Sequence, residues 1–175
     1  MNLDLLMNTL TESLIAELEH EAAMTRRVLE RAPEDRFSWA PHEKSMTLGA
    51  LAQHIAEIPG GIARLLDPPE SQLPPVPLTE PASRDALLAA LDRSVAEAIS
   101  KIRSWGDDYL MADCRVLDGE TVVMAGPRIG WVRALMLNHW YHHRGQLTVY
   151  LRLLDVPVPG DYGPSADEAI AATAG

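Results

Sequence analysis

The sequence predicts an all-α fold, a four-helix bundle, and three observations carry that expectation. Apolar residues recur at steps of three and four over long stretches, Thr, Ser and Pro stand where helices of that phase would begin, and aromatic residues are scarce. The chain has four Trp, four Tyr and one Phe in 175 residues. Sheet cores draw on aromatic and β-branched side chains, whereas a Leu- and Ala-rich pattern of period 3.6 suits helix-on-helix layers. A chain of this length buries about 70% of its unfolded surface. Residues 1–175 therefore read as a single domain with a core that needs no covalent staples.

The elements follow in order. Leu3, Met7, Leu10, Leu14, Leu18, Thr25, Val28 and Ala32 form one stripe, which predicts a first helix over 3–32, ended by Pro33. Thr47 is placed to cap a second helix whose inward face carries Leu48, Leu51, Ile55, Ile58, Ile62 and Leu65. Pro59 should kink or break it by removing a donor and crowding the Ile55 carbonyl. Six prolines between Asp67 and Pro81 read as a stiff crossover, too proline-dense for regular structure and a spacer rather than a recognition motif. Ser83 caps a third helix bearing Leu87, Leu91, Val95, Ala98, Ile102 and Trp105. Between Cys114 and Met124, Asp118-Gly119 separates two β-prone runs, which predicts a small β-hairpin between helices 3 and 4. Pro127 suits the first turn of a fourth helix reaching about Leu154, and the following Pro and Gly residues keep the tail irregular.

Composition excludes several functions. With 25 acidic against 15 basic residues the formal charge is −10, which leaves no clustered cations to neutralise phosphates, so nucleic acid is not an expected partner. Charged residues or prolines interrupt every apolar run before the ~20 residues a membrane span needs. One cysteine, Cys114, cannot pair internally, and the start of the chain lacks a secretory pattern, so a reducing cytoplasm is the expected setting.

The histidines carry the chemistry. His139 and His143 stand four apart, about 40° from each other around a helix, on the face that also bears Leu135, Met136, Gln146, Leu147, Tyr150 and Leu154. His142 falls at the edge of that face. An i, i+4 pair can bring two ring nitrogens to one ion, although buried histidines also satisfy themselves on carbonyls or carboxylates. His54, on the inward face of the second helix, adds a third imidazole. Three inward imidazoles need a cation or a hydrogen-bond network to offset their desolvation.

Glu21 sits near the centre of the first helix's apolar stripe. Two roles are open to it: a catalytic proton acceptor near the histidines, or a structural partner of an arginine. Gln146, one turn beyond His143, is a candidate to orient bound water, or a packing residue. Arg144 points well away from the histidine face, as a salt-bridge or subunit contact. Cys114 reads as inert, His20 and His42 as solvated, Trp39 as a packing anchor, and exposed Trp140 and Tyr141 as part of an isologous homodimer face.

Two blocks resemble a known family. Trp39-Ala40-Pro41-His42-Glu43-Lys44-Ser45-Met46-Thr47-Leu48-Gly49, with Leu51-Ala52-Gln53-His54-Ile55-Ala56, resembles the second-helix signature of the DinB-like superfamily. Asn138-His139-Trp140-Tyr141-His142-His143-Arg144-Gly145-Gln146-Leu147 resembles its H-x-x-x-H-R-G-Q motif. Tyr162-Gly163-Pro164-Ser165 is similar to tails in one subgroup. The resemblance implies an up-up-down-down arrangement with a long crossover, often dimeric, and a divalent metal on His54, His139 and His143. Imidazole-only ligation suits zinc or nickel. It leaves a coordination position open, as catalytic sites do.

Characterised members imply a metal-dependent enzyme on a small-molecule substrate, a transferase or isomerase using a low-molecular-weight thiol. A metal-dependent hydrolase employing hydroxide is the alternative enzyme class. A non-catalytic, stress-associated metal-binding dimer is the third reading. Peptidase chemistry of the zincin type is disfavoured, since Trp140 stands where that motif needs Glu.

Overall fold

The computed structural model describes residues 9–76 and 78–168, so Leu3 and Met7 of the expected first stripe lie outside the described residues. Among the described residues, four helices and a small three-stranded sheet make up the architecture. Helix α1 spans Thr9–Leu29. It stops short of Ala32 because the residue before Pro33 is driven out of the helical region, and the chain tightens there, with Arg31 and Ala32 donating three residues back, to Val28 and Leu29. Leu14, Leu18, Thr25, Val28 and Ala32 are all buried, as the stripe requires.

The start of α1 is held by a residue from elsewhere in the chain. Helix α3, Arg84–Met111, leaves helical geometry at Gly106, whose φ of +62° suits a residue without a Cβ. The following Asp107 turns its carboxylate onto α1, accepting from the Leu10 and Thr11 amides at 3.2 and 2.8 Å and from the Thr11 hydroxyl at 2.7 Å. Those donors, the Thr11 hydroxyl foremost, hold the Asp107 carboxyl below its ordinary pKa. The capping serine expected of α3 is in place, with Ser83 Oγ accepting from Ala86 N at 3.1 Å.

Helix α2 is Leu48–Leu66, capped by Thr47, whose side chain accepts from Ala50 N at 3.2 Å. It runs on through Pro59, which is buried inside it. The proline-rich crossover differs from the expected spacer. Residues Glu70–Gln72 form strand β1, paired in parallel with β2, Asp113–Asp118, in the register Glu70 to Arg115 and Gln72 to Leu117. The flanking prolines do not interrupt the ladder: Pro69 has no donor to give, but its carbonyl accepts from Arg115 N at 2.9 Å. Strand β3, Thr121–Pro127, completes the expected hairpin, and Gly119 in its turn has φ +61°.

Helix α4 comprises an α-helical turn Arg128–Trp131, a π-helical run Val132–Asn138 and an α-helical stretch His139–Leu153. Helix α3 packs on α1 and α2, and α2 packs on α4. Buried Arg128 ties helix ends together. Its guanidinium lies 3.7 Å from the Tyr109 ring centre and donates to the carbonyls of Leu66 at 2.9 Å and Ala112 at 3.1 Å, at the negative ends of α2 and α3. Among the described residues no helix is long and apolar enough to cross a membrane.

Candidate metal centre

The helix that carries His54 has a built-in defect beside it. Pro59 has no N–H, so the Ile55 carbonyl, four residues earlier, loses its helical donor. Trp140 repairs the loss: its indole N–H donates to Ile55 O at 2.8 Å. This overturns the expectation of an exposed Trp140, since the side chain is 0% exposed and its one polar group is used inside the core. Tyr141 is half-buried and donates to Glu17 at 3.0 Å. The ground offered for a dimer face on these two rings is thereby removed. Because Trp140 adjoins His139 and Ile55 adjoins His54, this hydrogen bond ties the two histidine-bearing helices together beside their imidazoles. Trp140→Phe is expected to lower stability by about 1–3 kcal/mol, the penalty of an unpaired buried carbonyl, and to weaken metal affinity. Thermal melts and metal titration of the same preparation check both effects.

The π-helical run places the second histidine. The His139 amide donates to Ala134 O, five residues back, rather than to Leu135 O. The imidazole takes up Leu135 O instead, through Nδ1 at 3.3 Å. A carbonyl only accepts, so Nδ1 carries the proton and Nε2 presents a lone pair. One turn on, His143 Nδ1 lies 2.7 Å from Gln146 Oε1, which gives His143 the same tautomer. The two Nε2 atoms then face each other at 2.7 Å. Ring centres of His54 lie 5.3 and 4.8 Å from those of His139 and His143. One ligand atom from each of the three residues falls within 4.8 Å of the others.

These residues fit a bound cation. Two neutral acceptors 2.7 Å apart repel unless positive charge lies between them. The outer nitrogens of both rings are already satisfied, which is the support that orients imidazole ligands in metal sites. Burial keeps the rings neutral and ready to coordinate. Desolvation, with the two neighbouring imidazoles second, pulls His54 down to about 4. Desolvation likewise lowers His139 and His143, against the opposing pull of the Leu135 and Gln146 bonds.

His54 and His139 also line a cavity of about 490 Å³. Ile58, Ile62 and Leu65 of α2 form one wall, and the crossover segment Leu73–Val76 forms another. The sequence reading missed this second role of the crossover, because nothing local in a proline-rich run says which helix it will cover. It also missed Glu57 and Arg64 on the cavity wall. Glu57 stands three residues after His54, a helical-neighbour spacing that could have flagged it. Its carboxylate accepts from Gln53 at 2.5 Å, and Arg64 is ion-paired with Glu97.

Of the two roles open to Glu21, the structure shows the arginine pair. Its carboxylate lies 2.7 Å from the guanidinium of Arg144, and both side chains are almost wholly buried. Tyr162 donates to Glu21 Oε2 at 3.0 Å, and Arg144 Nε reaches Asp161 at 2.8 Å, so the pair pins the C-terminal tail to α1 and α4. Burial leads in raising the Tyr162 phenol to about 12. Arg144, read as facing away from the histidines, is thus a salt-bridge residue within the chain. His20, His42 and His142 are exposed, and Cys114 is buried with its thiol pKa pushed up by desolvation. Trp39 meets Tyr150 edge-on at 5.7 Å.

Residues 17–147 match the family model of the DinB superfamily. The uncharacterized protein YrdA of Bacillus subtilis is 24% identical over 152 residues, covering 86% of each chain. The crystal structure of a DinB-like protein from Bacillus cereus superposes with a TM-score of 0.68 at 22% identity, over 86% of this chain and 97% of that one. A DinB-like protein of Bacillus subtilis, YjoA, gives 0.64 at 17% identity, over 86% and 99%. The matched span runs from within α1 through His54 to the residue after Gln146, and on that ground the chain belongs to the DinB superfamily.

Proposed function

We propose that the chain is a divalent-metal-dependent enzyme acting on a small molecule, of the thiol-dependent transferase or isomerase type. The observation that carries the reading is that His54 and His139 line the 490 Å³ cavity, so the ligand set opens onto a space of substrate size. All-imidazole ligation suits Zn²⁺ or Ni²⁺ over Ca²⁺ or Mg²⁺, and either ion, when bound, supplies Lewis-acid chemistry and holds a thiol as thiolate at neutral pH. The protein's own contribution is orientation. Leu135 O and Gln146 hold the protons of His139 and His143 on Nδ1. We assign Glu21 to holding Arg144 and the tail rather than to proton transfer, because its carboxylate is already engaged by two donors.

A hydrolase is the second reading, favoured by Glu57, a carboxylate on the wall of the same cavity. An isologous homodimer belongs with either reading, through exposed Val149 and Leu153 on α4. Metal-loaded protein is tested against thiols paired with an electrophile, and against ester and amide panels. The first reading expects thiol-dependent turnover that His54→Ala abolishes. Ester turnover without thiol, sensitive to Glu57→Gln, would replace it with the second. Equal rates for wild type and His54→Ala across all panels would overturn both.

A further inference from the structure

The cavity beside the histidines has a wall whose chemistry points to what it takes. Its sides are mostly apolar: Ile58, Ile62 and Leu65 from α2 face Leu73, Pro74, Pro75 and Val76 from the crossover, with Ser71 and Gln72 beside them. Two adjacent prolines, Pro74 and Pro75, bring no backbone N–H and hold a fixed φ, so at their positions this wall presents no donor and stays stiff. The wall is also anchored. Strand β1 pairs with β2 just before it, and Leu73 N donates to Leu117 O at 2.7 Å. The side chains themselves are left uncovered: Leu73 is 48% and Val76 59% exposed, more than a core role would leave. The cation on the cavity wall, Arg64, is already ion-paired with Glu97, and Glu57 adds negative charge. The described lining therefore offers no free positive group to a strongly anionic ligand.

We infer that the crossover wall Leu73–Val76 is the specificity determinant of the site, selecting a small substrate with an uncharged alkyl or aryl body that lies between this wall and α2. The substrate's reacting end then lies at the His54 and His139 end of the cavity. This inference rests on the metal-enzyme reading above and adds the substrate class. A volume of 490 Å³ accepts a chain of several carbons beside a polar head group.

The test uses zinc-loaded protein and straight-chain hydroxamates from acetohydroxamate to octanohydroxamate, followed by calorimetry. The hydroxamate head binds metal whatever its tail, so metal binding and wall contact are read separately. Affinity is expected to rise roughly threefold to fourfold per methylene until the cavity is full. Leu73→Ser and Val76→Ser are expected to flatten that rise while leaving zinc content and acetohydroxamate affinity unchanged. Both positions are about half exposed, so neither variant is expected to lose its fold. A chain-length series that is flat in the wild type, or a slope that both variants leave intact, overturns the inference and leaves the metal reading standing. Failure of the protein to hold zinc at His54, His139 and His143 overturns both.

Discussion

Replacing His139, His143 or His54 with alanine is expected to abolish stoichiometric metal binding. Removing an outer hydrogen-bond partner of a ligand already costs roughly 10- to 100-fold in affinity, and removing the ligand itself costs more. Gln146→Ala supplies the smaller comparison, since it deletes the oxygen 2.7 Å from His143 Nδ1 and frees that ring to change tautomer. His142→Ala should retain metal, because that ring is exposed and outside the cluster. Elemental analysis of the five variants and the wild type, each loaded and dialysed in parallel, reads the ranking directly. Undiminished metal in the His54, His139 and His143 variants alike would dismiss the site.

The largest effect on stability is expected at Arg144. Its side chain is 0% exposed and that of Glu21 6%, so Arg144→Met leaves a carboxylate buried without its cation. Breaking such a pair by removing one partner typically costs about 3–5 kcal/mol. In a chain of this size that lowers the melting temperature by about 6–20 °C. Glu21→Gln should do less, because Asp161 remains at 2.8 Å from Arg144 Nε and the glutamine keeps an acceptor for Tyr162. Metal content and turnover are expected to survive in Glu21→Gln while the melting temperature falls. If turnover instead drops by roughly 10²- to 10⁴-fold with metal retained, Glu21 moves protons and the structural assignment is wrong.

The contrast between these two sites shows which kinds of information a sequence carries. The His139 and His143 pair is legible because four residues make about one helical turn, and the Thr47 and Ser83 caps because a capping hydroxyl serves an amide three residues on. The hairpin around Gly119 is legible for the same reason, since its turn is local. The role of Trp140 was misread at the same range. A helical wheel drawn at constant phase cannot contain the π-helical run just before His139, nor know that Pro59 leaves a carbonyl for an indole 85 residues away.

The sequence by itself thus determined the helices, their caps, the family signature and the three histidines, all of which depend on neighbours within a turn or two or on a motif. Only the tertiary structure decided that Glu21 meets Arg144 across 123 positions, that the proline-rich crossover adds a strand and then walls the cavity, and which nitrogen of each α4 imidazole is turned inward. A buried carboxylate must find a partner, and a proline-freed carbonyl must find a donor, but the demand is local while the supply is set by how the helices stack.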